Sequence, residues 1–299
     1  MNGSKFARLM VPVAWAMLIG AGLACAGLAG QPAARTLPPT QTGANGANGD
    51  DPTQGAIVRA TRQAQATQLV LASTATAQFA AAQATQDAHA TSVAQATAQS
   101  LLAAKSEWPR VLAETFKNND LAWPVGVTQD HSLSVTSAVK DGRYSWSVVV
   151  TNGNSYFNLV PQKGPVLGDF YATLDVTLAD GNQDNGLAYG LVFRQVKDDY
   201  GFFGIQQDGS FRVLEVHHTG IYTELIESSP LIDTHPGQVN HLGVVGVGSD
   251  FVFLVDDQVV AQMNADLSPG QIGLGVDTTA QAPEAGVDFS NFMIYAPKP

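Results

Sequence analysis

Residues Gly186–Val216 read GLAYGLVFRQVKDDYGFFGIQQDGSFRVLEV. Three apolar runs, Leu187–Arg194, Gly201–Gln206 and Phe211–Val216, are parted by polar turns at Gln195–Tyr200 and Gln207-Asp208-Gly209-Ser210. Runs of this length, rich in Val, Phe, Tyr and Ile and punctuated by Asp-Gly, predict antiparallel strands in hairpins.

The segment before it alternates strictly. Phe170, Ala172, Leu174, Val176 and Leu178 are apolar, whereas Tyr171, Thr173, Asp175 and Thr177 are polar or amphipathic. Period two buries one face of a strand. If the loop Ala179–Gly186 closes a hairpin with Leu178 opposite Leu187, the apolar residues of both strands match. The other face then collects Tyr171 with Arg194, Thr173 with Val192, and Asp175 with Gly190. A one-residue slip would set apolar against polar throughout.

Working outward, strand-like runs recur at short intervals: Tyr144–Val150, Tyr156–Val160, Ile221–Ile226, Val239–Val247, Phe251–Val255, Gln258–Met263, Ile272–Val276 and Val287–Tyr295. Asp256-Asp257 reads as a tight hairpin turn. No helical period intervenes. The expected fold of residues 108–299 is all-β, a jelly-roll sandwich of two antiparallel sheets.

The rest of the chain has a different character. Met1–Arg8 carries Lys5 and Arg8, and Leu9–Gly30 carries no charge. Residues 1–30 therefore read as a signal peptide or membrane anchor. Cys25, the single cysteine, closes this run in GLACAG and is a candidate lipidation site. The pattern resembles a bacterial lipoprotein signal, although Gly22 stands where a leucine is usual. An uncleaved anchor and an ordinary A-x-A cleavage site are the other two readings. All three place the remainder outside the cytoplasm, at a membrane surface or secreted. Residues 31–55, with four prolines and GANGANG, read as a disordered linker. Residues 56–107 are dominated by Ala, Thr and Gln, with sparse large apolar residues that sustain no heptad. They predict a polar helical stalk of about 75 Å at about 1.5 Å per residue.

Charge divides along the same line. Residues 1–107 hold six Lys/Arg and four Asp/Glu, and residues 108–299 hold nine and twenty-two, a net of −13. Such an acidic part repels nucleic acid. One cysteine allows neither an internal disulfide nor a cysteine metal site.

Taken together, Phe116 with Trp123, Asp141-Gly142-Arg143-Tyr144, Asp169-Phe170-Tyr171, Gly186–Arg194, Tyr200-Gly201-Phe202, the Phe251–Val260 hairpin, Gly270–Leu274 and Val287–Phe292 resemble the concanavalin A-like lectin/glucanase superfamily. The likeness is to its laminin-G-like and 3-keto-disaccharide hydrolase jelly rolls. The resemblance covers about residues 108–297. It implies a cell-surface glycan- or ligand-binding module without catalysis. A glycoside-cleaving enzyme and an adhesive module with a protein partner are the alternatives. The E-x-D-x-E triplet of family-16 glucanases is missing, leaving Glu215, Glu224 and Glu227 as unmatched acids. Tyr171, Asp175 and Arg194 are the candidate ligand-binding residues, since planar guanidinium and carboxylate groups bond hydroxyls. No cofactor is expected. Asp180–Gly186 has oxygen donors at alternate positions, as at the start of a calcium loop, but lacks the closing glutamate. His217 and His218, adjacent at a strand end, are expected to point to opposite faces and not to share a metal.

Overall fold

The computed structural model describes residues 52–129, 132–151, 155–181, 186–235, 237–278 and 285–298. Signal, Cys25 and nearly all of the 31–55 linker lie outside them. Among the described residues no helix is long and apolar enough to cross a membrane. The chain divides into two compact units, Met1–Val93 and Ala94–Pro299.

One helix, α1, runs Pro52–Lys105. It starts inside the stretch expected to be linker, because Pro52 is tolerated in a first helical turn where its missing N–H costs nothing. The many threonines do not break it. Their hydroxyls turn back on the helix: Thr61, Thr67 and Thr76 donate to the carbonyls of Ile57, Gln63 and Ala72 at 2.9–3.0 Å. In the first unit Leu69, Leu71 and Phe79 remain exposed.

The described residues of the second unit form sixteen strands: β1 (Arg110–Glu114), β2 (Gly126–Gln129), β3 (Leu133–Lys140), β4 (Arg143–Val150), β5 (Ser155–Leu159), β6 (Val166–Leu167), β7 (Phe170–Gly181), β8 (Leu187–Val196), β9 (Asp199–Ile205), β10 (Ser210–His217), β11 (Gly220–Ser228), β12 (Asn240–Val247), β13 (Asp250–Val255), β14 (Gln258–Asn264), β15 (Gly270–Thr278) and β16 (Ala285–Tyr295). All pair antiparallel. A nine-stranded sheet has the order β14-β13-β12-β7-β16-β4-β3-β2, with β1 also on β16. A seven-stranded sheet has the order β11-β10-β9-β8-β15-β5, with β6 on β15. The fold is the expected jelly-roll sandwich.

The assumed β7–β8 hairpin does not form. β7 pairs with β12 and β16, whereas β8 pairs with β9 and β15. The two strands lie in opposite sheets. Their apolar residues still meet, because Ala172, Leu174, Val176 and Leu178 share one core with Tyr189, Leu191 and Phe193. Alternation identified the buried faces correctly, but the partners face each other across the sandwich rather than within one sheet.

The last turns of α1, assigned from sequence to the stalk, pack within the second unit. Ala98 and Leu101 are buried against Val245, Val252 and Leu254 on the outer face of the nine-stranded sheet. Lys105 Nζ sits 3.6 Å from the Tyr171 ring centroid, a cation–π contact.

Candidate functional site

The seven-stranded sheet is unusual on the side away from the main core. That face carries a second apolar layer of Ala188, Val192, Tyr200, Phe202 and Leu214, with Tyr156 and Val216 packed against it. This is why β8 is buried at eight successive positions instead of alternating. Glycines make room for the layer. Gly190, Gly204 and Gly275 lie side by side in register. A Cβ on Gly204 would fall 2.4 Å from the Phe202 ring, and one on Gly275 would fall 2.7 Å from Val192. At Gly190 a Cβ would strike the Phe203 carbonyl at 2.2 Å.

Polar groups close over this layer. Tyr156 and Tyr200 stack with centroids 4.4 Å apart and planes 11° apart. Asn158 donates from Nδ2 to the Tyr156 hydroxyl at 2.9 Å, and Gln195 Nε2 donates to Asn158 Oδ1 at 3.0 Å. Burial raises the hydroxyl pKa of both tyrosines, so they stay neutral donors. Arg212, only 3% exposed, holds Glu224 and Asp277 on its two terminal nitrogens. Nη1 and Asp277 Oδ2 meet as an ion pair without hydrogen-bond alignment, and Arg212 Nε has no protein partner. Burial pushes the Asp277 carboxyl up to about 6, although Arg212 opposes it.

At one end of this face an open hollow of about 470 Å³ lies between β5, the β8–β9 turn and the β10–β11 turn. Tyr156, Asn158, Gln195, Tyr200 and Val216 line it, together with Lys197, His217 and His218. Stacked rings, two amides and an aliphatic patch suit a flat, hydroxyl-rich ligand.

The residues expected to bind ligand do not converge. Tyr171 and Asp175 are on the outer face of the nine-stranded sheet. Tyr171 stacks on Tyr295 at 5.6 Å, and its hydroxyl reaches Asp257 at 3.5 Å. Asp175 accepts from His241 Nδ1 and Asn291 Nδ2, both at 2.6 Å. Burial works to raise the Asp175 pKa, but these two bonds hold it below its usual value. The bond to Asp175 raises that of His241.

Arg194 belongs to the other sheet and is 4% exposed, not an open-face residue. Its backbone is left-handed, φ 50°, at the bulge that ends β8. The guanidinium donates to Gly168 O at 2.7 and 3.0 Å and to Leu267 O at 2.8 Å, and covers the Phe251 ring at 4.8 Å. Asp169 stands 3.9 Å away. Arg194 is therefore a clamp on two loops.

Sequence reasoning missed Tyr156, Asn158, Arg212 and Asp277. Its available signal was the glycine spacing of Gly270-Gln271-Ile272-Gly273-Leu274-Gly275, because glycine inside a strand marks a close approach.

No family model matches the chain, and no curated protein matches it. The chain is similar in fold to solved structures, among them three at low sequence identity. A carbohydrate binding module, CBM66, from Bacillus subtilis is 18% identical with a TM-score of 0.39, over 57% of this chain and 96% of that one. A Bacillus licheniformis beta-glucanase is 11% identical with a TM-score of 0.47, over 62% and 98%. A beta-1,3-1,4-glucanase (lichenase) derived from a mouse hindgut metagenome is 13% identical with a TM-score of 0.47, over 62% and 99%.

Proposed function

We propose that the chain is a carbohydrate-binding module without catalysis, displayed outside the cytoplasm on an N-terminal membrane anchor. The hollow beside Tyr156 and Tyr200 carries this reading. It is open, of ligand size, and lined by the amides of Asn158 and Gln195 beside aromatic carbon, with Lys197, Asp198, His217 and His218 at its rim. A non-catalytic role is supported by the missing E-x-D-x-E triplet of carboxylates. Display at a surface is supported by the basic start, the uncharged run Leu9–Gly30 and Cys25. The test is binding of the full chain to an array of neutral oligosaccharides. Asn158→Ala and Tyr200→Ala abolish binding on this reading, whereas Tyr171→Ala leaves it intact. Loss with Tyr171→Ala and retention with the other two would move the site to the opposite sheet.

A second reading, glycoside cleavage, is favoured by one observation. Asp277, pushed up to about 6 by burial, lies beside Glu224 on one guanidinium, and a carboxyl raised in this way suits a general acid. Release of reducing ends from the bound oligosaccharides, lost in Asp277→Asn, would select it.

A further inference from the structure

We propose that Asp199, His217 and His218 form a binding site for a divalent transition-metal ion, with zinc as the fitting probe. The expectation that adjacent histidines diverge fails here for a local reason. His217 is the last residue of β10, and His218 already lies in the turn. Both rings therefore come round to one carboxylate. His217 Nδ1 stands 3.8 Å from Asp199 Oδ2, and His218 Nδ1 stands 3.7 Å from Asp199 Oδ1.

Ligand atoms about 2.1 Å from a tetrahedral zinc ion are about 3.4 Å from one another. The observed gaps exceed that edge by only a few tenths of an ångström. Among the described residues no three such side chains form a ready-made ion cage, so metal must draw the ligands inward. One of the three is free to move, and a second, Asp199, is tied only by the His218 N–H, which donates to its Oδ1 at 2.8 Å. The His218 side chain is 73% exposed in a turn, and that of Asp199 is 43% exposed.

The third ligand is oriented. His217 Nε2 contacts Glu215 Oε1 at 2.9 Å, and Thr223 donates its hydroxyl to Glu215 Oε2 at 2.9 Å. Glu215 is 5% exposed, and both of its carboxylate oxygens are engaged in this way. Nδ1 is the nitrogen that faces Asp199. A carboxylate behind a histidine is the usual support for a metal-bound imidazole. The Tyr222 ring, edge-on at 5.3 Å, restrains the imidazole further. A fourth position is left for water on the side of the hollow, which both histidines line. The site does not rest on the glycan reading, since the ion alone is the probe.

The experiment is calorimetric titration of the full chain with zinc at neutral pH, paired with cobalt(II) absorption. The expected result is one ion per chain at micromolar Kd and the intense visible bands of tetrahedral cobalt. Asp199→Ala, His217→Ala and His218→Gln should each weaken binding at least tenfold, and Glu215→Gln by about 10–100-fold, as for other outer-shell partners. His235→Ala, a histidine elsewhere on the surface, should change nothing. Because His218 is exposed, its variant reads binding without disturbing the fold. Absence of zinc binding at millimolar concentration overturns the proposal. Binding unchanged in His218→Gln, or equally reduced in His235→Ala, also overturns it.

Discussion

Arg212 and Asp277 are joined across two intervening strands: β10 carries the arginine, β15 the aspartate, and β9 and β8 run between them. The bare backbone of Gly204 and Gly190 lies in that gap. The pair fixes the polar roof over the second apolar layer and sets its pH response. Asp277 keeps its proton to about pH 6 in the fold, against an ordinary value near 3.8. The folded state therefore holds the extra proton between these values. Its contribution is full below about pH 4 and is lost as pH rises through about 6. Melting curves of the parent and Asp277→Asn should diverge over that interval, with the parent losing stability relative to the variant. Parallel curves would contradict the assignment.

Arg194→Ala should destabilise strongly, by about 2–5 kcal/mol, because Gly168 O and Leu267 O lose their donor inside the fold. Denaturant unfolding measures it. A change below about 0.5 kcal/mol would show that the clamp contributes nothing.

Leu101→Ala should cost about 2 kcal/mol or more, since it opens a gap beneath α1 on Val245, Val252 and Leu254. Leu71→Ala, exposed on the same helix, should be neutral. A fragment of residues 94–299 should accordingly melt above one of residues 108–299. Equal melting temperatures would detach the helix end from the fold.

His241 and Asp175 should protect each other's charge. The raised His241 pKa gives stability that is present below about 6.5 and lost as pH climbs through its folded value. The lowered Asp175 pKa gives stability present above about 3.8 and lost as pH falls through its folded value. Their joint contribution is largest between these limits. NMR titration should place His241 above 6.5, and Asp175→Asn should bring it down.

Cys25→Ser should abolish incorporation of labelled fatty acid if the N-terminus is a lipoprotein signal. Equal label in variant and parent would leave the anchor or secretory reading.

Much of this was legible. Period-two alternation and Asp-Gly turns located β4, β5 and β7–β16, and Asp256 and Asp257 are both left-handed, as a tight hairpin requires. What alternation reports is which face is buried, not which strand is adjacent. Leu178 and Leu187 could therefore be matched as a pair although their strands lie in different sheets. The outward placing of Arg194 failed at a bulge, because a left-handed arginine has no sequence signature. β3 was overlooked because Ser137 occupies a buried position where the pattern needed an apolar residue. The candidate hollow was invisible because Tyr156, Gln195 and His217 come from three strands that only the fold assembles.

The position of β16 has a consequence for synthesis. This last strand lies inside the nine-stranded sheet, between β7 and β4, and also receives β1. The sheet thus has a missing middle until residues 285–295 have left the ribosome. Until then β7 and β4 present open edges to whatever is nearby, which favours wrong pairing. Closure then joins segments from opposite ends of the domain, Arg110–Glu114 with Phe292–Tyr295, and such distant pairings form slowly. A nascent chain stalled short of β16 should therefore stay protease-sensitive and bound to holding chaperones, whereas the full-length chain is released.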